Sequence, residues 1–122
     1  VVVLARYMQI LSSDFIDEWQ GKIINIHHGF LPAFQGANPY RRAYERGVKM
    51  IGATAHYASK DLDQGPIVEQ DVVRVNHELG PAGLRDVGKD VERRVLAKGV
   101  QAHLESRIIF FKNRTIVFSS GQ

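Results

Sequence analysis

Asn25 and His27 are the residues of this chain best suited to chemistry on a carbonyl group. They interrupt a short apolar run over residues 23–27 at alternate positions, so both side chains are expected on one face of a strand. A loop rich in glycine and proline follows. Ligand sites in open α/β sheets lie just past the carboxyl ends of strands. An amide donor and an imidazole at such a place predict a site that polarises a carbonyl and transfers protons.

The surrounding pattern predicts an α/β fold in which strands and helices alternate. Right-handed crossovers between such elements favour a largely parallel sheet, and the later strand and the hairpin favour an antiparallel or mixed edge. The expected strands are 1–5, 22–27, 48–57 and 66–75; the expected helices run from Ser12–Asp14 to Gly21, from Asn38-Pro39 to Gly47 and from Gly80-Pro81 to about Ser106; the hairpin pairs 107–111 with 115–118.

Further polar residues follow the ends of neighbouring strands. Thr54 and His56 share a face of the third strand, and Asp61 and Asp63 stand on the loop after it. In a parallel sheet these ends lie along one rim, together with the loop Tyr7–Leu11 after the first strand. An acid, several imidazoles and an amide are therefore expected to meet there and to orient water at a carbonyl.

Composition narrows the class of protein. The chain has 122 residues, 44% hydrophobic and 24% charged, which suits one globular domain. Without cysteine it has neither disulfides nor thiolate metal ligands. No apolar run approaches the roughly 20 residues of a membrane span, so the cytoplasm is the expected location and no membrane partner is expected. Scattered basic residues and a net charge of +3 do not favour a nucleic-acid partner.

At these motifs the chain resembles the C-terminal part of the folate-dependent formyltransferase family, and in particular its hydrolytic branch. Transferase members usually have proline after the histidine of the Asn-x-His motif, whereas His28 stands there in this chain. Gly29 is a departure from the resembled pattern, which typically has serine at that position. The stretches that carry the resemblance are 4–12, 24–28, 30–34, 39–40, 43–49, 51–57, 61–67 and 90–97.

The resemblance implies roles for individual residues. A catalytic trio of Asn, His and Asp falls on Asn25, His27 and Asp63. We expect His56, His28 and Thr54 to support this trio: His56 would fix Asp63 by a hydrogen bond, and His28 would help position water. The folate-binding positions that the resemblance implies are Met8, Gln9, Ile10, Leu11, Ala58 and Asp61.

The resemblance also implies a fold and a reaction. The fold is the C-terminal half of a formyltransferase-type Rossmann-like domain; residues 1–122 are expected to be an incomplete catalytic domain, with upstream strands and a regulatory domain of the ACT class outside it. The implied reaction is the hydrolysis of 10-formyltetrahydrofolate to tetrahydrofolate and formate in one-carbon and purine metabolism. Neither a metal nor a prosthetic group is implied, and a homo-oligomer is expected.

Two other functions stay open at this stage. The first is a folate-dependent formyltransferase of the glycinamide ribonucleotide type, which hands the formyl group to an amine. The second is a folate-binding or assembly fragment without catalytic activity. Formate release without an amine acceptor distinguishes the hydrolase from the first, and turnover by the purified chain distinguishes it from the second.

Overall fold

The computed structural model describes residues 1–5, 12–19, 21–27, 39–59 and 65–119, and these ranges form an α/β fold with a C-terminal hairpin, as the sequence predicts. Among them, no helix is long and apolar enough to cross a membrane. The helices and strands, in chain order, are β1 (Val2–Ala5), α1 (Ser13–Glu18), β2 (Ile23–His27), α2 (Pro39–Arg46), β3 (Met50–Tyr57), β4 (Ile67–Arg74), α3 (Pro81–Leu104), β5 (Ile108–Phe111) and β6 (Arg114–Val117).

The main sheet has four strands in the order β1-β2-β3-β4, and its strand directions differ in part from the expectation. Strands β1 and β2 are parallel, but β2–β3 and β3–β4 are both antiparallel, so the described sheet is mixed and not mostly parallel. In an antiparallel pair the second strand begins near the end of the first, so the chain between β2 and β3 makes no crossover to the other end of the sheet. Strand β3 accordingly runs back beside β2, with Thr54 opposite position 27 and Tyr57 opposite Ile24.

Helix α3 covers one face of this sheet and forms the core with it. Its inner side carries the expected apolar stripe, of which Leu84, Val91, Val95 and Ala102 are buried. Opposite them the sheet contributes a set of small and branched side chains. The main core cluster consists of Ile24, Ile26, Ala53, Ala55, Tyr57, Val68, Val91 and Val95. Burial of these apolar groups fixes which face of each strand points toward α3.

A buried polar pair joins α2 to α3, and the sequence does not predict it. The Tyr40 hydroxyl donates to Glu92 Oε2 at 2.8 Å, and both residues are buried. A Cβ at position 88 would lie 2.0 Å from the Tyr40 hydroxyl oxygen, so only glycine leaves room for the ring against α3. Tyr40 therefore packs in the core, as expected, and it also satisfies a carboxylate whose burial without a hydrogen bond would be costly.

Strand β4 contains a β-bulge that matters for the site. Along β3, Ala55 pairs with Glu69 whereas the next residue, His56, pairs with Ile67, so Val68 is the extra residue. Val68 is buried on the side of α3. Side chains along a strand normally point to alternate faces of the sheet, and the extra residue Val68 shifts this alternation by one position. Ile67 therefore lies on the same face of the sheet as its partner His56.

Tyr57 links the sheet to α3 and to the hairpin. Its hydroxyl lies 2.8 Å from His103 Nδ1 and its ring centroid lies 4.7 Å from that of Phe110. Burial raises the pKa of Tyr57 to about 12, so the hydroxyl stays protonated and can donate to Nδ1 of a neutral His103 ring. His103 is partly buried, and its ring takes part in this hydrogen bond.

The pair predicts a pH dependence of stability. The pKa of His103 is lowered by burial, and the positive N-terminus adds to the effect. The unfolded chain, with a histidine pKa of about 6.5, therefore holds the proton more tightly than the folded chain. The stabilisation from this residue is fully present above about pH 6.5 and is lost as the pH falls toward the lowered pKa. His103→Gln should unfold in urea with a weaker dependence on pH between about 7.5 and 5.5 than the parent chain; an equal dependence contradicts this reading.

Candidate active site

Three of the predicted polar residues, Asn25, Thr54 and His56, lie on the face of the sheet opposite to α3. Asn25 pairs with His56 and position 27 pairs with Thr54 across β2 and β3, and paired residues share a face of the sheet. Asn25, Thr54 and His56 are 6%, 0% and 2% exposed. Three polar side chains so deeply buried are costly for folding, which makes this face a candidate site.

The way these residues meet differs from the expectation. A parallel sheet would have brought them together along a rim at the strand ends. In the antiparallel pair the carboxyl end of β3 instead runs back beside β2, so His56 comes to lie next to Asn25. The site is therefore a patch on one face of the sheet, spanning two neighbouring rows of residues. Spacing along the chain carries no information on strand direction, so this placement could not be predicted from it.

The orientation of His56 is set by the backbone of its own strand. Its Nδ1 lies 3.0 Å from the Tyr57 carbonyl oxygen. A carbonyl can only accept, so Nδ1 carries the hydrogen, and Nε2 of the neutral ring holds the lone pair. A hydrogen bond from His56 to an ionised Asp63, which the sequence led us to expect, thus requires a protonated ring.

The Tyr57 carbonyl also touches Gly65, just before β4. A Cβ at position 65 would lie 1.6 Å from the Tyr57 oxygen and 2.8 Å from its carbonyl carbon. The contact is held from both sides, because Tyr57 N–H donates to the Pro66 carbonyl at 2.9 Å. Residue 65 must therefore be glycine, and this contact fixes the point from which the segment carrying Asp63 departs.

Gln70 belongs to the same face of the sheet, although no sequence pattern predicts it there. It pairs with Thr54 in register, and its Nε2 donates to Thr54 Oγ1 at 3.0 Å. Simple alternation from Ile67 would place Gln70 on the opposite face, with Val68. The bulge cancels that alternation. The pairing of two polar residues, Thr54 and Gln70, on adjacent strands would indicate that Gln70 belongs to the site, but this pairing is visible only when the register of β3 and β4 is known.

Several predicted positions lie outside the described residues. These are His28, Asp61, Asp63 and the folate-binding positions Met8, Gln9, Ile10 and Leu11, so their roles stay predictions. Ala58 is described: its N–H donates to the Ile23 carbonyl at 2.8 Å, which places it at the edge of the polar face. Among the described residues, no cluster of acidic, histidine or cysteine side chains could hold a metal ion.

The described part of the patch offers polar groups without a formal charge. Asn25 supplies an amide and Thr54 a hydroxyl, both of which can donate, whereas His56 presents the lone pair of Nε2. Donors held in place by a sheet stabilise developing negative charge on a carbonyl oxygen, because they need no reorganisation when that charge forms. The arrangement suits addition to a carbonyl carbon followed by proton transfer.

This fold and this sequence define the class of protein. The family model described as formyl transferase matches residues 1–100, and the chain belongs to that family.

The comparisons with individual proteins point to one branch of the family. The chain is 60% identical over 119 residues to formyltetrahydrofolate deformylase from Bacillus subtilis, an alignment that covers 98% of this chain and 40% of that protein. The solved deformylase from Pseudomonas syringae matches with a TM-score of 0.90 and 55% identity, over 98% of this chain and 40% of that one. A phosphoribosylglycinamide formyltransferase from Anaplasma phagocytophilum is more distant, at 35% identity and a TM-score of 0.88 over 100% of this chain and 60% of that one. The chain thus spans about two fifths of the length of these deformylases.

Proposed function

We propose that the protein containing this chain hydrolyses 10-formyltetrahydrofolate to tetrahydrofolate and formate, with the polar face of β2 and β3 as the reacting surface. The observation that carries the proposal is the convergence of Asn25, Thr54 and His56, all nearly inaccessible to solvent, on that face. Relatives at 60% identity that are named for this reaction support it.

The first step of the proposed mechanism is the attack of water on the formyl carbon. The carbonyl π electrons move to oxygen, and the Asn25 amide donates to the oxyanion that forms. Removing one such donor typically lowers the rate 100- to 1000-fold. Asp63 holds the attacking water and accepts its proton.

The second step breaks the bond between the formyl carbon and the folate nitrogen. The oxyanion re-forms the carbonyl and expels the folate nitrogen, which takes a proton from His27, a side chain of the type suited to proton transfer near neutral pH. The formic acid that results gives up its hydroxyl proton and leaves as formate. His56, with Nδ1 bound to the Tyr57 carbonyl, presents Nε2. A protonated His56 would hold Asp63 as a carboxylate and strengthen its hold on water. Thr54 supports His27, its partner in the register of β2 and β3, and His28 helps position water.

A formyltransferase is the second candidate, because solved transferases share the fold at 35% identity. A transferase must admit an amine where the hydrolase admits water. The higher identity to deformylases favours water as the acceptor. A folate-binding fragment without turnover is the third candidate, since the chain covers 40% of its curated relative.

The test is formate release from 10-formyltetrahydrofolate by the purified chain, with and without glycinamide ribonucleotide. We expect formate without any amine, at a rate that the amine does not raise. A formylated amine as the sole product would establish a transferase. Folate binding without either product would establish a binding fragment, and both of these results overturn the proposal.

The remaining assignments follow from the proposed reaction. The partner is a small reduced folate bound as substrate, and the product folate returns to one-carbon metabolism that feeds purine synthesis. The cytoplasm, where the sequence analysis places the chain, and a homo-oligomeric state belong to the same proposal. Neither a prosthetic group nor a metal has a step in it.

A further inference from the structure

We infer that Gln70 is a positioning residue of the proposed site, which acts by fixing the direction of the Thr54 hydroxyl. The inference rests on the proposed function and deepens it. The residue lies on β4, outside the Asn, His and Asp trio, and is exposed, whereas the hydroxyl it binds is on a fully buried residue.

The position of Gln70 is built by the sheet. Residues His27, Thr54 and Gln70 form one lateral row across β2, β3 and β4, in register. Thr54 stands in the middle of the row and accepts from Gln70 Nε2 at 3.0 Å. The β-bulge at Val68 aligns this row beside the row of Asn25 and His56, because it adds one residue to β4 between the two rows.

The direction of the Thr54 proton follows from hydrogen-bond chemistry. A hydroxyl has one proton and two lone pairs, whereas the Nε2 group of glutamine only donates. Since Gln70 donates, the Thr54 oxygen presents a lone pair to β4. The proton is therefore left with directions away from β4, and in our inference it points toward β2 and the proposed reacting centre. Gln70 thus restricts the rotation of the hydroxyl and helps to orient its proton, which lowers the reorganisation needed when charge develops.

Three substitutions separate positioning from packing. Gln70→Met keeps the size of the side chain and loses the donor. Gln70→Glu keeps the shape and still binds the hydroxyl, but as an ionised acceptor, so the Thr54 proton turns toward β4. Thr54→Val removes the hydroxyl. The matched control is Glu69→Gln, which changes the charge of the neighbouring residue of β4 on the side of α3.

The kinetic readout is the split between kcat and KM for formate release. We expect Gln70→Met to lower kcat about 3- to 10-fold with little change in KM, the usual effect of one neutral hydrogen bond. The kcat of Gln70→Glu should be lower than that of Gln70→Met. In the Thr54→Val background both Gln70 variants should lose their effect, as coupled residues do in a double-mutant cycle. The Glu69→Gln control should keep the parent kcat.

Two results would overturn the inference. If Gln70 merely holds the sheet together, Gln70→Glu retains its hydrogen bond and is at least as active as Gln70→Met. If Gln70 acts independently of Thr54, its effect persists in Thr54→Val. A neutron crystal structure gives a readout that needs no turnover: the Thr54 deuteron should point toward β2 in the parent and toward β4 in Gln70→Glu. A deuteron directed at β4 in the parent refutes the inference even where formate release has already failed.

Discussion

Gly65→Ala is expected to abolish formate release and to destabilise the chain by about 3 kcal/mol or more, among the larger effects of single substitutions. The added Cβ would lie 1.6 Å from the Tyr57 carbonyl oxygen, so either the end of β3 or the start of β4 must move. Overlap with the end of a flexible side chain is relieved by a rotation about its bonds. A carbonyl in a strand has no such freedom.

The displacement would reach the site directly. The same carbonyl accepts from His56 Nδ1, and the Tyr57 N–H is held by the Pro66 carbonyl. Moving either strand therefore turns the His56 ring and shifts the segment that carries Asp63. We expect at least a 100-fold loss of kcat, measured on protein that still folds at low temperature, together with a lower midpoint in urea.

The matched control for Gly65 is Gly83→Ala, in the first turns of α3. Its Cβ would meet the flexible end of Leu79 at 3.0 Å, and alanine in a helix is favoured over glycine by up to about 1 kcal/mol. Gly83→Ala should keep its activity and unfold at the same or a higher urea concentration. Equal behaviour of the two alanine variants would show that the close contact at the Tyr57 carbonyl has no consequence.

Asn25→Ala is expected to lower kcat for formate release 100- to 1000-fold, because it removes the amide that donates to the oxyanion. Asn25 is 6% exposed and pairs with His56 in register, so its amide lies within the proposed site. Its KM should change less, since the hydrogen bond is strongest when charge has developed on the oxygen. Steady-state kinetics with 10-formyltetrahydrofolate measure both quantities.

Asn25→Asp separates this chemical role from packing. Aspartate has the shape of asparagine but places a carboxylate where a donor is needed, so we expect it to be no more active than Asn25→Ala. Recovery of activity in Asn25→Asp would indicate that shape alone matters. Asn76→Ala, an exposed residue after β4, is the matched control and should keep the parent kcat.

Local patterns predicted most of the elements and part of the site. The apolar run that ends at His27, the Asn38-Pro39 helix start and the Gly80-Pro81 start of α3 all correspond to observed elements. The alternation that puts Asn25 on the opposite face from Ile24 and Ile26 also holds, because those two isoleucines lie in the core. Each of these signals is local, so a single stretch of sequence carries it.

The missed features depend on contacts between distant residues. The direction of β3 depends on how the connection after β2 folds, which no local pattern reveals. The bulge at Val68 changes which face Gln70 occupies, and Glu92 is buried because Tyr40 supplies a donor. His103 is likewise partly buried against Tyr57, which lies far from it along the chain. Such pairings appear only when two elements are brought together.

The most direct test of the proposed site is a crystal structure of this chain with a non-hydrolysable 10-formyl analogue of tetrahydrofolate. Catalysis at the β2–β3 face requires the formyl oxygen to lie about 3 Å from the Asn25 amide nitrogen, with the formyl carbon over the row that joins Asn25 and His56. An analogue bound with its formyl group away from this face, or on the side of α3, would contradict the account.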